Sequence, residues 1–230
     1  MSRIFWIAAV VLCTASPVRA ALTNGGFEQP DFGTNTVGLF FENQVDGWET
    51  TASDNVIELW GSGFNGVPAF EGDQFAELNA NFVSTLYQDA SGISAGSFVG
   101  FEFAHRGRFG VDTMRLTIRD LGADNATGGL GLDADTILFQ QSYSDGASAW
   151  GFYTNSVPIT ALGNTVRFEF ESVSAAGGLG SVGNFLDAAD FGVDAGNVVP
   201  EPSSFTLLLI GSTLTGGLAM ARRRRAATSL

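Results

Sequence analysis

Four side chains on two short alternating segments have the types and spacing needed to bind a sugar. Glu58 and Trp60 lie two residues apart in one segment, so they share a face if it is a strand. Glu77 and Asn79 share a face of a second segment in the same way. If the two strands are neighbours, these groups line one patch. Sugars bind such patches because their apolar ring faces stack on aromatic side chains while their hydroxyls meet polar groups.

A third segment, Phe98–Arg108, offers further polar groups. Period-two alternation places His105 on the face of the core phenylalanines, at the rim of the core, where it can hydrogen-bond to a loop or to a ligand. Arg106 and Arg108 either pair with nearby carboxylates or hold a sugar hydroxyl or a uronic carboxylate through the planar guanidinium. We therefore include these three residues in the predicted ligand site.

The same residues could instead be catalytic. Glu58 and Glu77 could act as the two carboxylates of a glycosidase, which must lie about 5–10 Å apart. The chain has one histidine, so sites that need two are excluded. Its one cysteine, Cys13, lies in the first 20 residues, so a disulfide framework, a cysteine-based zinc site and thiol catalysis are excluded as well.

The net charge of the chain limits the kinds of molecule that it can bind. The 230 residues carry 24 acidic and 11 basic side chains, and none of the basic ones is lysine. Residues 21–199 hold 23 of the acids but five arginines, a formal charge of −18. A field of this sign repels phosphate backbones, so we expect no nucleic-acid partner.

The sequence pattern in the middle of the chain predicts an all-β fold. Short runs rich in Phe, Val, Ile and Thr alternate with period two and are separated by Gly, Asn, Asp and Ser, which is typical of strands and turns. Without alternating helices, this pattern predicts a single β-sandwich or jelly roll over residues 21–199. The predicted strands are Asn55–Trp60, Gln74–Asn79, Val83–Gln88, Phe98–Ala104, Thr113–Arg119, Thr136–Gln141, Trp150–Val157, Thr165–Glu171 and Asn184–Val193.

The two ends of the chain look like targeting segments. Residues 1–20 combine a basic start, ten apolar residues and small residues before position 21, the layout of a cleaved secretory signal helix. Residues 205–221 carry no charge and would form a transmembrane helix of about 25 Å. The arginines that follow would stay cytoplasmic, which leaves the body outside the membrane.

The last 31 residues also resemble a known sorting signal. Pro200-Glu201-Pro202, the apolar segment and the cluster Arg222, Arg223, Arg224 and Arg225 resemble the PEP-CTERM signal of Gram-negative bacteria, over residues 200–225. The resemblance implies that an exosortase, a membrane transpeptidase, recognises the tripeptide and removes the tail. It further implies a precursor tethered to the inner membrane and a mature protein at the cell surface or in the extracellular polysaccharide.

The body has a second resemblance, to the galactose-binding-like jelly roll. It rests on Asn24-Gly25-Gly26-Phe27-Glu28 with Trp48 about 20 residues on, on Asp187 in the final predicted strand, and on segments 58–81, 86–89 and 103–108. In that class the first and last strands pair, and a structural calcium lies near them. The resemblance therefore implies a calcium site at Glu28 and Asp187.

These observations lead to three hypotheses for function. The first is a non-catalytic, secreted carbohydrate-binding jelly roll. The second is a purely structural matrix protein without a defined ligand. The third is a polysaccharide-active hydrolase that uses Glu58 and Glu77.

Overall fold

The computed structural model describes residues 22–121, 136–155 and 157–194. The predicted signal helix and the predicted sorting signal lie outside these residues. Within the described part, no helix has the length and apolar character needed to cross a membrane. Two short 3-10 turns occur there, Glu42–Gln44 and Phe64–Gly66, and the remaining regular structure is strand.

The described residues form twelve strands in two antiparallel sheets. The strands are β1 (Val37–Phe41), β2 (Glu49–Thr50), β3 (Val56–Gly61), β4 (Gln74–Glu77), β5 (Thr85–Ser91), β6 (Phe98–Arg106), β7 (Asp112–Asp120), β8 (Thr136–Asp145), β9 (Gly151–Thr154), β10 (Ile159–Thr160), β11 (Thr165–Ser174) and β12 (Phe185–Asp194). The first sheet has the order β1-β3-β4-β12-β6-β10, with β9 also paired to β6, and the second has the order β2-β5-β11-β7-β8. The prediction of an all-β sandwich is confirmed for these residues.

The main core lies between the two sheets and follows from the period-two pattern. In β11, Val166, Phe168 and Phe170 are buried while the alternate residues face outward. Phe103 of β6 meets Phe170 across the sheets with ring centroids 5.5 Å apart. Phe191 of β12 meets Phe168 at 4.6 Å. Such aromatic contacts join the two sheets into one hydrophobic core.

A second, smaller core covers part of the outer face of the first sheet. Residues 62–73, here called the covering segment, fold back over β3, β4 and β12. Underneath it, Trp60, Val67, Phe75 and Phe185 form a separate buried cluster. The first sheet is therefore buried on both faces at one end, and its outer face is open at the other end.

The expected pairing of the first and last strands needs correction. The last strand, β12, pairs with β4 and β6, whereas β1 pairs with β3, so the first and last strands are not neighbours. The segment before β1 reaches β12 through one hydrogen bond, in which the Ala189 N–H donates to the Gly25 carbonyl over 3.0 Å. At this point β12 has a bulge between Asp187 and Asp190, with Ala188 at a φ of 49°.

Candidate functional site

The structure brings the predicted sugar-binding residues together. Strands β3 and β4 are neighbours, and Glu58 is the direct cross-strand partner of Glu77. Trp60 pairs with Phe75 two residues further along. All of these side chains lie on the outer face of the first sheet, as the alternation requires.

The covering segment, however, closes over this patch. Trp60 is 1% exposed and packs against Phe64 and Phe185, each with ring centroids 4.8 Å away. The Arg108 guanidinium lies 4.7 Å from the centroid of the Trp60 ring. The Trp60 Nε1–H donates to Glu58 Oε1 over 2.7 Å. Trp60 therefore presents no open ring face on which a sugar could stack, a result of tertiary packing that the alternation in sequence does not reveal.

Glu58 and Glu77 form a buried acidic pair with one arginine. Arg108 Nη1 donates to both carboxylate oxygens of Glu77 over 2.9 Å, and the Gly183 N–H donates to Oε1 over 2.6 Å. Burial, with the nearby Glu58 charge, raises the pKa of Glu77 to about 8. Burial also raises the pKa of Glu58, against hydrogen bonds from Trp60 and Glu77. The pair thus shares a proton at neutral pH.

This arrangement does not fit a glycosidase. The two carboxyl groups are hydrogen-bonded to each other, so the gap of about 5–10 Å that holds a glycosidic bond or a water is missing. Glu77 is fully buried as well. The pair instead stabilises the junction of β3, β4 and the segment after β6.

The other predicted ligand residues also bond within the fold. The buried amide of Asn79 donates to the Val182 carbonyl over 3.2 Å, and Arg106 donates to the Ala147 carbonyl over 2.5 Å. His105, which was expected at the rim, is fully buried. Since these groups are engaged internally, the structure offers them no evident route to a ligand.

His105 links three elements of the fold. Its Nδ1 lies 2.7 Å from Asp145 Oδ2, and its Nε2 lies 2.9 Å from Asn184 Oδ1. The Asn184 amide nitrogen donates to Ser172 and to the Ser174 carbonyl, which fixes its oxygen toward the ring. Burial alone would raise the pKa of Asp145, but the hydrogen bonds from His105 and Tyr153 hold it below its ordinary value. Both ring nitrogens thus face side-chain oxygens, and the ring ties β6 to β8 and to the residue before β12.

The predicted calcium ligands hold the covering segment in place. Asp187 Oδ2 accepts the N–H groups of Phe70 and Glu71 over 2.8 and 3.2 Å, and its Oδ1 accepts the Ala188 N–H over 2.7 Å. Burial raises the pKa of Asp187 to about 7, despite these three N–H donors.

Glu28 anchors the last residue of the same segment and the first residue of β4. Its Oε1 accepts the N–H groups of Asp73 and Gln74 over 2.9 and 3.1 Å. Gly72 is required beside it, because φ is +59° and an added Cβ would lie 2.1 Å from Glu28 Oε1. Each of these two carboxylates therefore accepts backbone N–H groups of the chain around the end of the covering segment. Among the described residues, no group of three or more His, Cys, Asp or Glu side chains could hold a metal, and calcium at this position stays a prediction.

The open end of the first sheet's outer face carries an aromatic pair. Phe70, at the end of the covering segment, and Phe152 of β9 stack with centroids 5.3 Å apart and planes 5° apart. They are 40% and 48% exposed. Trp150 meets Phe70 edge to face and is fixed by its Nε1–H, which donates to the Pro68 carbonyl over 2.9 Å. The pair is thus held rigidly while its outer surface remains open to solvent.

Polar groups and a flat floor continue from this pair along β6. Glu102 is flanked across the strands by Asp190 on β12 and Thr154 on β9. Two residues away, about 6.6 Å along the strand, Gly100 pairs with Gly192. Because neither glycine has a side chain, this row lies lower than the row before it.

Two connected cavities mark this region. One, of about 390 Å³, is lined by Phe70, Phe152 and Glu71, and the other, of about 230 Å³, is lined by Thr154 and the two paired glycines. Both include Glu102 and Asp190 in their lining. We call this region the outer groove, and it consists of Phe70, Glu71, Gly100, Glu102, Phe152, Thr154, Asp190 and Gly192.

A separate cavity of about 490 Å³ opens at the edge of the sandwich, between β8 and the strands β9 and β10. Phe101, Phe139, Tyr143 and Tyr153 supply its aromatic lining. The Tyr153 hydroxyl donates to Asp145 and is engaged in the fold. This edge cavity is the alternative place for a ligand.

The sequence contains partial signals for the outer groove. Alternation places Glu102 opposite the core phenylalanines, and the same rule places Phe152 on one face of its strand. Phe70 lies in an irregular segment, however, and its position depends on Asp187, more than 100 residues away. Sequence alone could not reveal that pairing.

Comparison with known proteins gives distant matches in structure alone. No protein-family model matches the chain, and no curated protein sequence is detectably similar to it. The structural neighbours are carbohydrate-binding jelly-roll modules. TmCBM61, solved with β-1,4-galactotriose, has 17% identity and a TM-score of 0.43, over 75% of this chain and 96% of that one. The CBM22-1 xylan-binding domain of Paenibacillus barcinonensis Xyn10C has 9% identity and a TM-score of 0.44, over 70% and 96%.

A third neighbour is the N-terminal cellulose-binding domain of Cellulomonas fimi β-1,4-glucanase C. It has 14% identity and a TM-score of 0.41, and the match covers 78% of this chain and 97% of that one. With TM-scores below 0.5, these similarities do not indicate what this chain binds.

Proposed function

We propose that this chain is a non-catalytic glycan-binding β-sandwich and that the glycan lies in the outer groove. The observation that carries the proposal is the stacked pair of Phe70 and Phe152, each 40% or more exposed, beside the paired glycines Gly100 and Gly192, of which Gly192 has open space above it. A sugar ring can pack its apolar face against the aromatic pair while its hydroxyls reach the polar row.

The polar row has the right chemistry for hydroxyl groups. Glu102 and Asp190 offer carboxylate oxygens, and Thr154 offers a hydroxyl that both donates and accepts. These side chains project from three neighbouring strands that are tied together by backbone hydrogen bonds. A site built on paired strands is already formed before the ligand arrives, which limits the ordering cost of binding.

Substitution of a glycine in the groove can test the proposal, because a larger side chain there would block the groove. A Cβ added at Gly192 meets no atom within 4 Å, and its φ lies outside the left-handed region. Gly192→Leu should therefore fill the groove without disturbing the backbone. Gly146, in the turn before β9, also has open space around an added Cβ, so Gly146→Leu is a matched control outside the groove.

The experiment is a glycan array with the full-length protein, followed by calorimetry on the best binder. Phe152→Ala should weaken binding at least about tenfold, because stacking of a ring on an aromatic contributes on the order of 1–2 kcal/mol. Phe82→Ala removes a phenylalanine of similar exposure, 49%, elsewhere on the surface, and should bind normally. Gly192→Leu should abolish binding and Gly146→Leu should not.

Three results would overturn this proposal. If Phe139→Ala abolishes binding while Phe152→Ala does not, the ligand occupies the edge cavity. If no glycan binds to the wild-type protein, the chain is better described as a structural matrix protein without a defined ligand. Release of shortened oligosaccharides would instead revive the hydrolase hypothesis.

We also propose, from the sequence, that the protein is exported and sorted to the cell surface or the extracellular polysaccharide by an exosortase. Deletion of the exosortase should leave a membrane-tethered precursor, and mass spectrometry of the wild-type surface form should show a chain that lacks the apolar tail. Replacement of Glu201 by Ala should have the same effect as the deletion. A surface form that keeps its tail would indicate a simple membrane anchor.

A further inference from the structure

We propose that the outer groove selects glycans that carry positively charged amino groups over neutral and acidic ones. This inference rests on the proposed glycan-binding function and concerns the charge of the sugar. It combines three features of the groove: unpaired carboxylates, the absence of a nearby cation among the described residues, and an exposed aromatic wall.

The carboxylates of the groove lack counterions. Among residues 22–121, 136–155 and 157–194, neither Glu71 nor Glu102 has an ion-pair or hydrogen-bond partner for its side chain. Asp190 uses one oxygen to accept the Phe191 N–H over 2.7 Å, and its second oxygen has no partner in the same part of the chain. Glu102 and Asp190 are half-buried cross-strand neighbours, so an incoming cation would relieve their mutual repulsion.

The arginines of the domain form their ion pairs and hydrogen bonds outside the outer groove. On the outer face of the second sheet, three of them form ion pairs: Arg115 with Glu171, Arg119 with Glu169, and Arg167 with Asp89. Arg108 is bound to Glu77 beneath the covering segment. Arg106 shares the outer face of β6 with Glu102, but it is four residues away, is 9% exposed and donates to a backbone carbonyl. An acidic glycan would therefore meet repulsion in the groove with no arginine to balance it.

The aromatic wall favours a cation in its own right. The faces of Phe rings carry partial negative charge and attract ammonium groups within about 6 Å. Phe70 is adjacent in sequence to Glu71, and Phe152 flanks Ala104, two residues from Glu102. An amino sugar can thus place its ring on the aromatic pair and its ammonium group among the carboxylates.

The test compares three hexasaccharides by calorimetry with the full-length protein at about pH 5, well below the pKa of an amino group. The probes are a glucosamine hexamer, its fully N-acetylated counterpart and a galacturonic acid hexamer. We expect the amino hexamer to bind at least about tenfold more tightly than the acetylated one, a difference of about 1.4 kcal/mol. The acidic hexamer should show no measurable binding.

The preference should be electrostatic and local. It should shrink several-fold when the salt concentration is raised to about 1 M, where the screening length is about 3 Å. Glu102→Gln should reduce affinity for the amino hexamer at least about fivefold more than it reduces affinity for the acetylated hexamer. Asp46→Asn removes an exposed charge outside the groove and should leave both affinities unchanged.

Each outcome supports or overturns a defined statement. Equal affinity for the amino and acetylated hexamers, with Phe152→Ala still impairing both, would overturn the charge preference and leave glycan binding intact. Equal losses in Glu102→Gln and Asp46→Asn would show attraction to the net charge of the protein and would also overturn the inference. If none of the three probes and no glycan on the array binds, both proposals fail together.

Discussion

Replacement of Glu58 by glutamine should make the stability of this protein less dependent on pH. Glu58 accepts the Trp60 indole N–H over 2.7 Å and is hydrogen-bonded to Glu77 on its other side. A glutamine keeps a carbonyl oxygen for Trp60 and offers an amide N–H to Glu77. It therefore imitates protonated Glu58 at every pH without needing a proton.

The size of the effect follows from the pKa of the pair. Burial, together with the Glu58 charge, raises the pKa of Glu77 from 4.5 to about 8. The folded state thus keeps a proton that the unfolded chain releases above pH 4.5, so this stability is complete below about pH 4.5 and is lost as the pH rises through 8. At 1.36 kcal/mol per pKa unit, the free energy of unfolding should fall by about 3 kcal/mol between pH 5 and pH 8.

The variant should recover the smaller part of this loss. Burial, which is the larger cause of the raised pKa, still acts on Glu77 in Glu58→Gln, so we expect about 1 kcal/mol of the 3 kcal/mol to be recovered at pH 8 relative to pH 5. Asp187, whose pKa burial raises to about 7, also makes the protein less stable as pH rises. Its effect is common to both proteins and cancels in the comparison.

The assay is urea denaturation followed by tryptophan fluorescence, for wild type and variant at pH 5 and pH 8. Asp46→Asn serves as the control for removal of one negative charge, and its pH dependence should match that of the wild type. If Glu58→Gln loses as much stability between pH 5 and pH 8 as the wild type does, our interpretation that Glu58 and Glu77 share a proton is wrong.

Three further substitutions test the framework around the groove, each by urea denaturation. Asp187→Ala leaves three backbone N–H groups without an acceptor and should cost about 3 kcal/mol; a loss below about 1 kcal/mol would contradict its anchoring role. Gly61→Ala places a Cβ 2.2 Å from the Gly33 carbonyl oxygen and should cost at least about 2 kcal/mol, whereas Gly192→Ala, with open space, should stay within about 1 kcal/mol. His105→Ala leaves the buried Asn184 oxygen without its ring partner and empties a fully buried position, which should cost about 3 kcal/mol, and a stable variant would show that the contacts of His105 are dispensable.

The sequence was sufficient to find most of the strands but not all of them. All nine predicted strands are present, with ends that differ by a few residues. The three that were missed are β1, β2 and β10. Two of these have two residues each, too few for a period to show. In β1 the alternation is inverted, because Leu39 and Phe41 are exposed while Phe40, which lies between them, is half-buried.

The candidate site was harder to predict than the fold, for a physical reason. Alternation tells which residues share a face, and it placed Glu58, Trp60 and Glu77 correctly on one patch. It cannot tell what covers that face, because this depends on where an irregular segment is tied down. Asp187 fixes the covering segment over Trp60 and leaves Phe70 at the exposed edge of that segment. The Trp60 end of the sheet is therefore buried, and the exposed part of the outer face lies at the other end.

The two anchors of the covering segment also have a consequence for folding kinetics. Asp187 reaches Phe70 across 117 residues of chain, and Glu28 reaches Asp73 across 45. Contacts so distant in sequence form late, because the entropy of closing long loops must be overcome first. The groove should therefore be among the last parts of the domain to assemble. A chain released before β12 is complete would lack one anchor and one wall, so ligand binding would report on whether the whole domain has folded.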